Sequence, residues 1–267
     1  FVSPVQPTEG EEPYVENPAT CTGTDRFDNC PGRNDWYETV KLNYGIDYCD
    51  AGGRSYHFDP VPNTWVKMTD ILLYWASKDI DGFRCDMAEM VPAAFWAYAT
   101  RIVKERYPRI VFIGEVYDTN QYRTYIQSGF DYLCDKVGMY DCLRDIICDR
   151  RPASSITYYW QHVDDIRQHM LYFLENHDEQ RIASDFFCGS GAKAIPAVIV
   201  AALMGNNPFM VYAGQEFGER GMDAEGFSGR DGRTTIFDYW CVDTIRRGYF
   251  DRRHLTQDEM HLQLKYQ

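Results

Sequence analysis

The stretch DGFRCDMAEM, Asp81 to Met90, sets an arginine and an aspartate two positions apart in an otherwise apolar run. Side chains alternate faces along a strand, so Arg84, Asp86 and Ala88 are expected on one side and Phe83, Cys85 and Met87 on the other. Two further carboxylates stand at the ends of similar runs: Glu115 after VFIG and Asp178 after FLENH. From Asp86 to Glu115 is 29 positions, the length of one strand–helix–strand repeat, and from Glu115 to Asp178 is 63, about two repeats. Neighbouring parallel strands lie about 4.8 Å apart, which would bring Asp86 and Glu115 near the separation of about 5–5.5 Å that double-displacement cleavage of a glycosidic bond requires. Arg84, on the face of Asp86, would hold that carboxylate ionised for attack. The uncharged neighbours of Glu115 (Ile113, Gly114, Val116) would favour a retained proton. Any one of the three acids alone reads equally well as a salt-bridged strand end; three at repeat spacing do not.

The elements that must position these acids are visible as alternating periods. From Trp65 onward, helical spacing in NTWVKMTDILLYWASK, with Asn63 or Thr64 as cap, is followed by the strand IDGFRCDMA. A helix over VPAAFWAYATRIVKERY leads to the strand RIVFIGEVY, and NQYRTYIQSG to the weaker strand FDYLCDK. Two helical stretches, MYDCLRDIICDR and SSITYYWQHVDDIRQH, precede the strand MLYFLENHDEQ; GAKAIPAVIVAALMG precedes NPFMVYAGQE. Five nearly continuous apolar strands separated by helices predict a parallel sheet covered on its faces, with ligands bound beyond the carboxyl ends of the strands. Residues 1–63, rich in Pro, Gly, Asn and Asp but carrying Trp36, Tyr37, Tyr44, Tyr48 and Tyr56, are expected to form a long excursion over a cleft. The chain is therefore divided into 1–63 and 64–267.

These segments resemble a known family. GFRCDMA, FIGEV and ENHD are similar to three short signatures of the α-amylase family of glycoside hydrolases, and NPFMVYAGQEFG resembles its eighth-strand segment. The resemblance runs from about Trp65 to Arg247. It implies an α/β fold, part of a (β/α)8 TIM barrel comprising strands 4 to 8, with 1–63 as the long loop inserted after strand 3. It also implies hydrolysis of α-glucosidic bonds in α-glucans or malto-oligosaccharides, with retention. Residue by residue, Asp86 matches the nucleophile, Glu115 the general acid/base and Asp178 the carboxylate that stabilises the transition state. Arg84 matches the arginine beside the nucleophile, His177 a donor to the sugar, and Arg181 an arginine near the same sugar. A glucanosyltransferase or a debranching α-1,6-glucosidase of the family would keep the same acids, whereas a non-catalytic carbohydrate-binding relative commonly loses one. Glu89 and Met90 stand where many amylases carry a Lys-His pair, which puts starch specificity in question. The signature of the third strand is absent, so the chain is expected to be truncated at its start and, taken alone, poorly stable and inactive.

Composition limits the alternatives. A formal net charge of -13 disfavours nucleic acid as a partner. No apolar run reaches membrane-spanning length, and the longest, AIPAVIVAALMG, reads as a buried helix. Nine cysteines without a CxxC pair are neither a disulfide framework nor a zinc knuckle, although a loop bridge such as Cys21–Cys30 is compatible with them; their number does not decide a compartment. No cofactor is expected for the chemistry. The resemblance allows a structural calcium, and the loop carboxylates Asp25, Asp28, Asp47 and Asp50 are candidate ligands, though solvated charge is the simpler reading. GSGAKA, 189–194, imitates a dinucleotide fingerprint but lacks a leading strand, so its glycines are expected to open a helix.

Overall fold

A computed structural model describes residues 10, 42–50, 53–221, 227, 229–238 and 241–267. By packing, the chain divides into two units, Phe1–Ile80 and Asp81–Gln267. The boundary expected after residue 63 thus falls beyond the first helix. Trp65 explains why that helix stays with the first unit: its indole donates to the Tyr44 carbonyl at 3.0 Å, and its ring lies 5.0 Å from that of Phe58.

In the first unit, strands β1 (Ile46–Asp50) and β2 (Gly53–Tyr56) pair antiparallel, and α1 spans Asn63–Ala76. Pro62, rather than Asn63 or Thr64, occupies the cap position, and no side chain caps the helix. Asp25, Asp28, Cys21, Cys30, Trp36 and Tyr37 lie outside the described residues.

The second unit contains one parallel sheet of β3 (Gly82–Cys85), β4 (Val111–Glu115), β5 (Tyr132–Cys134), β6 (Met170–Phe173) and β7 (Phe209–Met210), in that order. All five strands read from the sequence are present, in chain order, as one half-barrel sheet. Helices alternate with them: α2 (Ala93–Arg106), α3 (Tyr122–Gln127), α4 (Asp141–Ile147), α5 (Ser155–His162) and α6 (Ile195–Leu203). The last segment forms α7 (Asp243–Phe250) and α8 (Gln257–Tyr266). Thr256 starts α8 with a reciprocal cap, its hydroxyl taking the Glu259 amide at 3.2 Å while the Glu259 carboxylate takes the Thr256 amide at 2.7 Å.

Burial accounts for the strand composition. All four residues of β6 are buried, as a strand covered on both faces demands. Phe112 of β4 packs on Phe83 of β3 and edge-on to Phe130, which in turn meets Trp96 of α2 at 5.0 Å. Leu133, Met170 and Tyr172 continue this core along the sheet. The strands are shorter than their apolar runs. β3 stops at Cys85 because Met87 adopts a left-handed conformation (φ 45°), which turns the chain into a 3₁₀ turn over Ala88–Met90. Ala88 is consequently buried rather than sharing the face of Arg84. The glycines of GSGAKA precede a 3₁₀ turn and α6, as expected of a helix entry.

Candidate active site

Parallel pairing sets the geometry. Cys85 of β3 is in register with Gly114 of β4, so Asp86 and Glu115 are the next residues along the two neighbouring strands. Glu115 is the last residue of β4 and 7% exposed, while the Asp86 side chain, one residue past β3, is 69% exposed. Arg84 connects them. Its Nη1 contacts Asp86 Oδ1, and its Nη2 lies 3.0 Å from Glu115 Oε1. Partial burial lowers the proton affinity of this guanidinium, but Glu115 and Asp86 outweigh it and hold the group above its ordinary value.

Arg84 was expected to serve Asp86 alone, with Glu115 in uncharged surroundings. The backbone neighbours of Glu115 are uncharged, but its side chain meets one cation and two further donors. The Met87 amide donates to Oε2 at 2.9 Å, and the Tyr117 hydroxyl donates to Oε1 at 2.9 Å. Alternation places residues 115 and 117 on one side of an extended chain, a signal that could have flagged Tyr117. Cys134 of β5 stands in register with Glu115, and burial pushes its thiol up to about 11, so it stays protonated near neutrality.

Asp178 sits past the end of β6, two strands away from β4. Asn176 shapes its turn: Oδ1 accepts the amides of Asp178 and Glu179, both at 2.9 Å. His177 Nε2 lies 3.2 Å from Asp178 Oδ2, and the Asp178 side chain is half exposed. Glu179 anchors the turn on its other side through the Tyr140 hydroxyl at 3.0 Å, Arg144 at 3.3 Å and Lys136 at 3.4 Å. Both Asp178 and Glu179 are among the charges that raise the Tyr117 hydroxyl, after burial and Glu115, which places the β6 turn within electrostatic reach of the β4 end.

Arg181 departs from expectation. It is 1% exposed, with Nη1 2.8 Å from Glu175, Nε 3.2 Å from the Thr234 hydroxyl and the guanidinium 4.1 Å from the Tyr212 ring centre. The arginine matched to one near the sugar thus has its guanidinium held by Glu175, Thr234 and Tyr212. Glu175 also accepts the Ile182 amide at 2.7 Å, so the pair braces the segment that carries His177 and Asp178. Sequence reading passed over Glu175 because an acid next to an apolar strand gives no sign of which cation it will meet.

Among the described residues, no three His, Cys, Asp or Glu side chains gather as a metal site, and no helix is long and apolar enough to cross a membrane. The six cysteines whose side chains are described form no disulfide.

Comparisons with known proteins agree with this architecture. Alpha-amylase MalA of Haloarcula japonica is 32% identical over 176 residues, covering 62% of this chain and 24% of that protein. Neopullulanase 2 of Thermoactinomyces vulgaris is 28% identical over 165 residues, covering 60% of this chain and 28% of its own. The chain thus spans about a quarter of the length of these curated relatives. Among solved structures, the alpha-amylase from H. orenii superposes with a TM-score of 0.57 at 20% identity, over 83% of this chain and 51% of that one, a likeness of fold. The family model for the alpha amylase catalytic domain matches residues 60–257, which takes in every strand of the parallel sheet and all three acids at its carboxyl end. On that match the chain belongs to the α-amylase family.

Proposed function

We propose that this chain carries the catalytic acids of a retaining glycoside hydrolase acting on α-glucosidic bonds of α-glucans or malto-oligosaccharides. The observation that carries the reading is the shared guanidinium: Arg84 lies against both Asp86 and Glu115 at the ends of adjacent strands. An exposed carboxylate with a fixed cation beside it suits attack on an anomeric carbon. A largely buried carboxyl two hydrogen bonds deep in the same cluster suits proton transfer.

In the first step a carboxylate oxygen of Asp86 bonds to the anomeric carbon while the glycosidic C–O bond breaks. Glu115 gives its proton to the departing oxygen. In the second step a water oxygen bonds to the same carbon, Glu115 takes the water proton, and the ester to Asp86 breaks, restoring both acids. Asp178, half exposed and steadied by Asn176 and His177, is proposed to offset positive charge on the sugar in both transition states. Arg181 acts here as a brace for that turn rather than as a sugar contact. The names of the relatives favour α-glucans: an alpha-amylase, a neopullulanase and, at 32% identity over 92 residues, the alpha-1,4-glucan:maltose-1-phosphate maltosyltransferase of Burkholderia pseudomallei. The last name makes transfer to a sugar acceptor the second reading.

The test is turnover of starch, pullulan and maltotriose by the complete protein, before and after Asp86→Asn and Glu115→Gln. Each substitution should lower kcat by at least about 10²–10⁴-fold while leaving sugar binding intact. Undiminished hydrolysis by either variant would overturn the mechanism. Products longer than the substrate supplied would favour transfer over hydrolysis.

A further inference from the structure

The turn after β3 and the loop after β4 are tied into a closed ring around Glu115. Met87 donates its amide to Glu115 Oε2 at 2.9 Å. Two residues on, Glu89 Oε2 accepts the amides of Tyr117 and Asp118 at 3.1 and 3.0 Å. Tyr117 then returns its hydroxyl to Glu115 Oε1 at 2.9 Å. The turn is itself pinned from below. The Trp96 indole donates to the Ala88 carbonyl at 3.0 Å, and the buried Tyr125 hydroxyl lies 3.1 Å from the carbonyls of both Glu89 and Val91. Residues 116–118 have no regular structure of their own, so the Glu89 carboxylate is what fixes the Tyr117 backbone.

We propose that Glu89 is a positioning residue that holds the Tyr117 hydroxyl on Glu115, and that this hydroxyl sets the pH range over which Glu115 exchanges its proton. The proposal rests on the reading of Glu115 as the acid/base. Burial, followed by the Glu115 carboxylate, raises the Tyr117 hydroxyl well above its ordinary range, so it remains a donor at all working pH values. A donor held on a carboxylate favours the form that has lost its proton, which is the form that must activate water in the second step. The other groups facing Glu115 are Arg84, Asp86 on the same guanidinium and the Met87 amide from the β3 side, Cys134 from β5, and Asp178 and Glu179 at longer range around Tyr117. Each of these contacts is made by a group other than the Tyr117 hydroxyl, so a variant that lacks only that hydroxyl leaves their side chains in place.

The experiment follows the Glu115 carboxyl by carbon-13 resonance across pH, its signal assigned by loss in Glu115→Gln, alongside the pH profile of kcat/KM in the complete protein. Tyr117→Phe should move the Glu115 midpoint and the alkaline limb of the profile upward together, by about 0.5–1 unit. Glu89→Ala should give the same shift, with kcat reduced more than KM is raised. Glu89→Gln, whose amide oxygen can still accept both N–H groups, should restore the wild-type midpoint. The double variant Glu89→Ala with Tyr117→Phe should shift no further than either single change. A midpoint unmoved by Tyr117→Phe, or shifts that add in the double variant, would overturn the proposal. Full activity in Glu115→Gln would instead defeat the functional reading, and the carboxyl titration would still judge the ring.

Discussion

Arg84 is asked to do something a lysine cannot. Its planar fork reaches Asp86 with one nitrogen and Glu115 with another, whereas an ammonium is a point charge that must choose. Arg84→Lys should therefore keep net charge yet lower kcat by about 10²-fold, which steady-state hydrolysis assays would show. The buried pair Glu175–Arg181 makes a different prediction. Burial pushes the Glu175 carboxyl up to about 7, against the pull of Arg181 and the Ile182 amide and with Glu219 adding to the rise. The folded state thus holds that proton more tightly than the unfolded chain, whose glutamates titrate near about 4.3. Its contribution is full below that value and is lost as pH rises towards about 7, a fall of up to about 3 kcal/mol. Denaturant unfolding at a series of pH values should show this slope in the wild type and not in Glu175→Gln. At this scale the sequence named Arg84, Asp86, Glu115, His177 and Asp178, and all five fall at the sheet's carboxyl end. It could not tell where a side chain ends up when the decision depends on residues far along the chain. Arg181 was matched to an arginine near the sugar, and its burial depends on Thr234 and Tyr212, more than thirty positions further along the chain.

Elements were easier to foresee than their limits. Period and composition identified the five strands of the parallel sheet, because a run such as MLYF has no place but a doubly covered sheet, but not the β1–β2 pair within the segment read as loop. Their ends were misjudged where one residue leaves the extended region. Met87 does so at φ 45°, and nothing in its type announces it. Close approach between strands is equally silent in sequence. A Cβ placed on Gly82 would come within 2.3 Å of the Val111 carbonyl oxygen on β4. Gly82→Ala should thus force the β3–β4 pair apart and cost at least about 1–3 kcal/mol, measurable as a lowered denaturation midpoint. At the other end of the chain, Thr256→Ala would remove the hydroxyl half of the α8 cap and cost about 1 kcal/mol. Amide exchange should then quicken in the first turn of α8 before anywhere else.

At the scale of the whole molecule, the sequence conveyed the architecture through repetition, whereas the division of packing after Ile80 depends on a tertiary contact. The parallel half-barrel was legible because strand and helix alternate five times; the assignment of α1 to the first unit depended on Trp65 finding Tyr44 and Phe58. Among the described residues, β3 pairs only with β4 and β7 only with β6, and Leu203 and Phe250 are 75% and 86% exposed. The ring around Glu115 has a further consequence at this level. Asp86, Glu115, Arg84, Glu89 and the Tyr117 hydroxyl all fall on β3, β4 and the connections immediately after them. That makes the pair of strands a self-wired cassette: grafted into another parallel barrel, it would bring its own adjustment with it and ask the host for little beyond a third acid across the mouth.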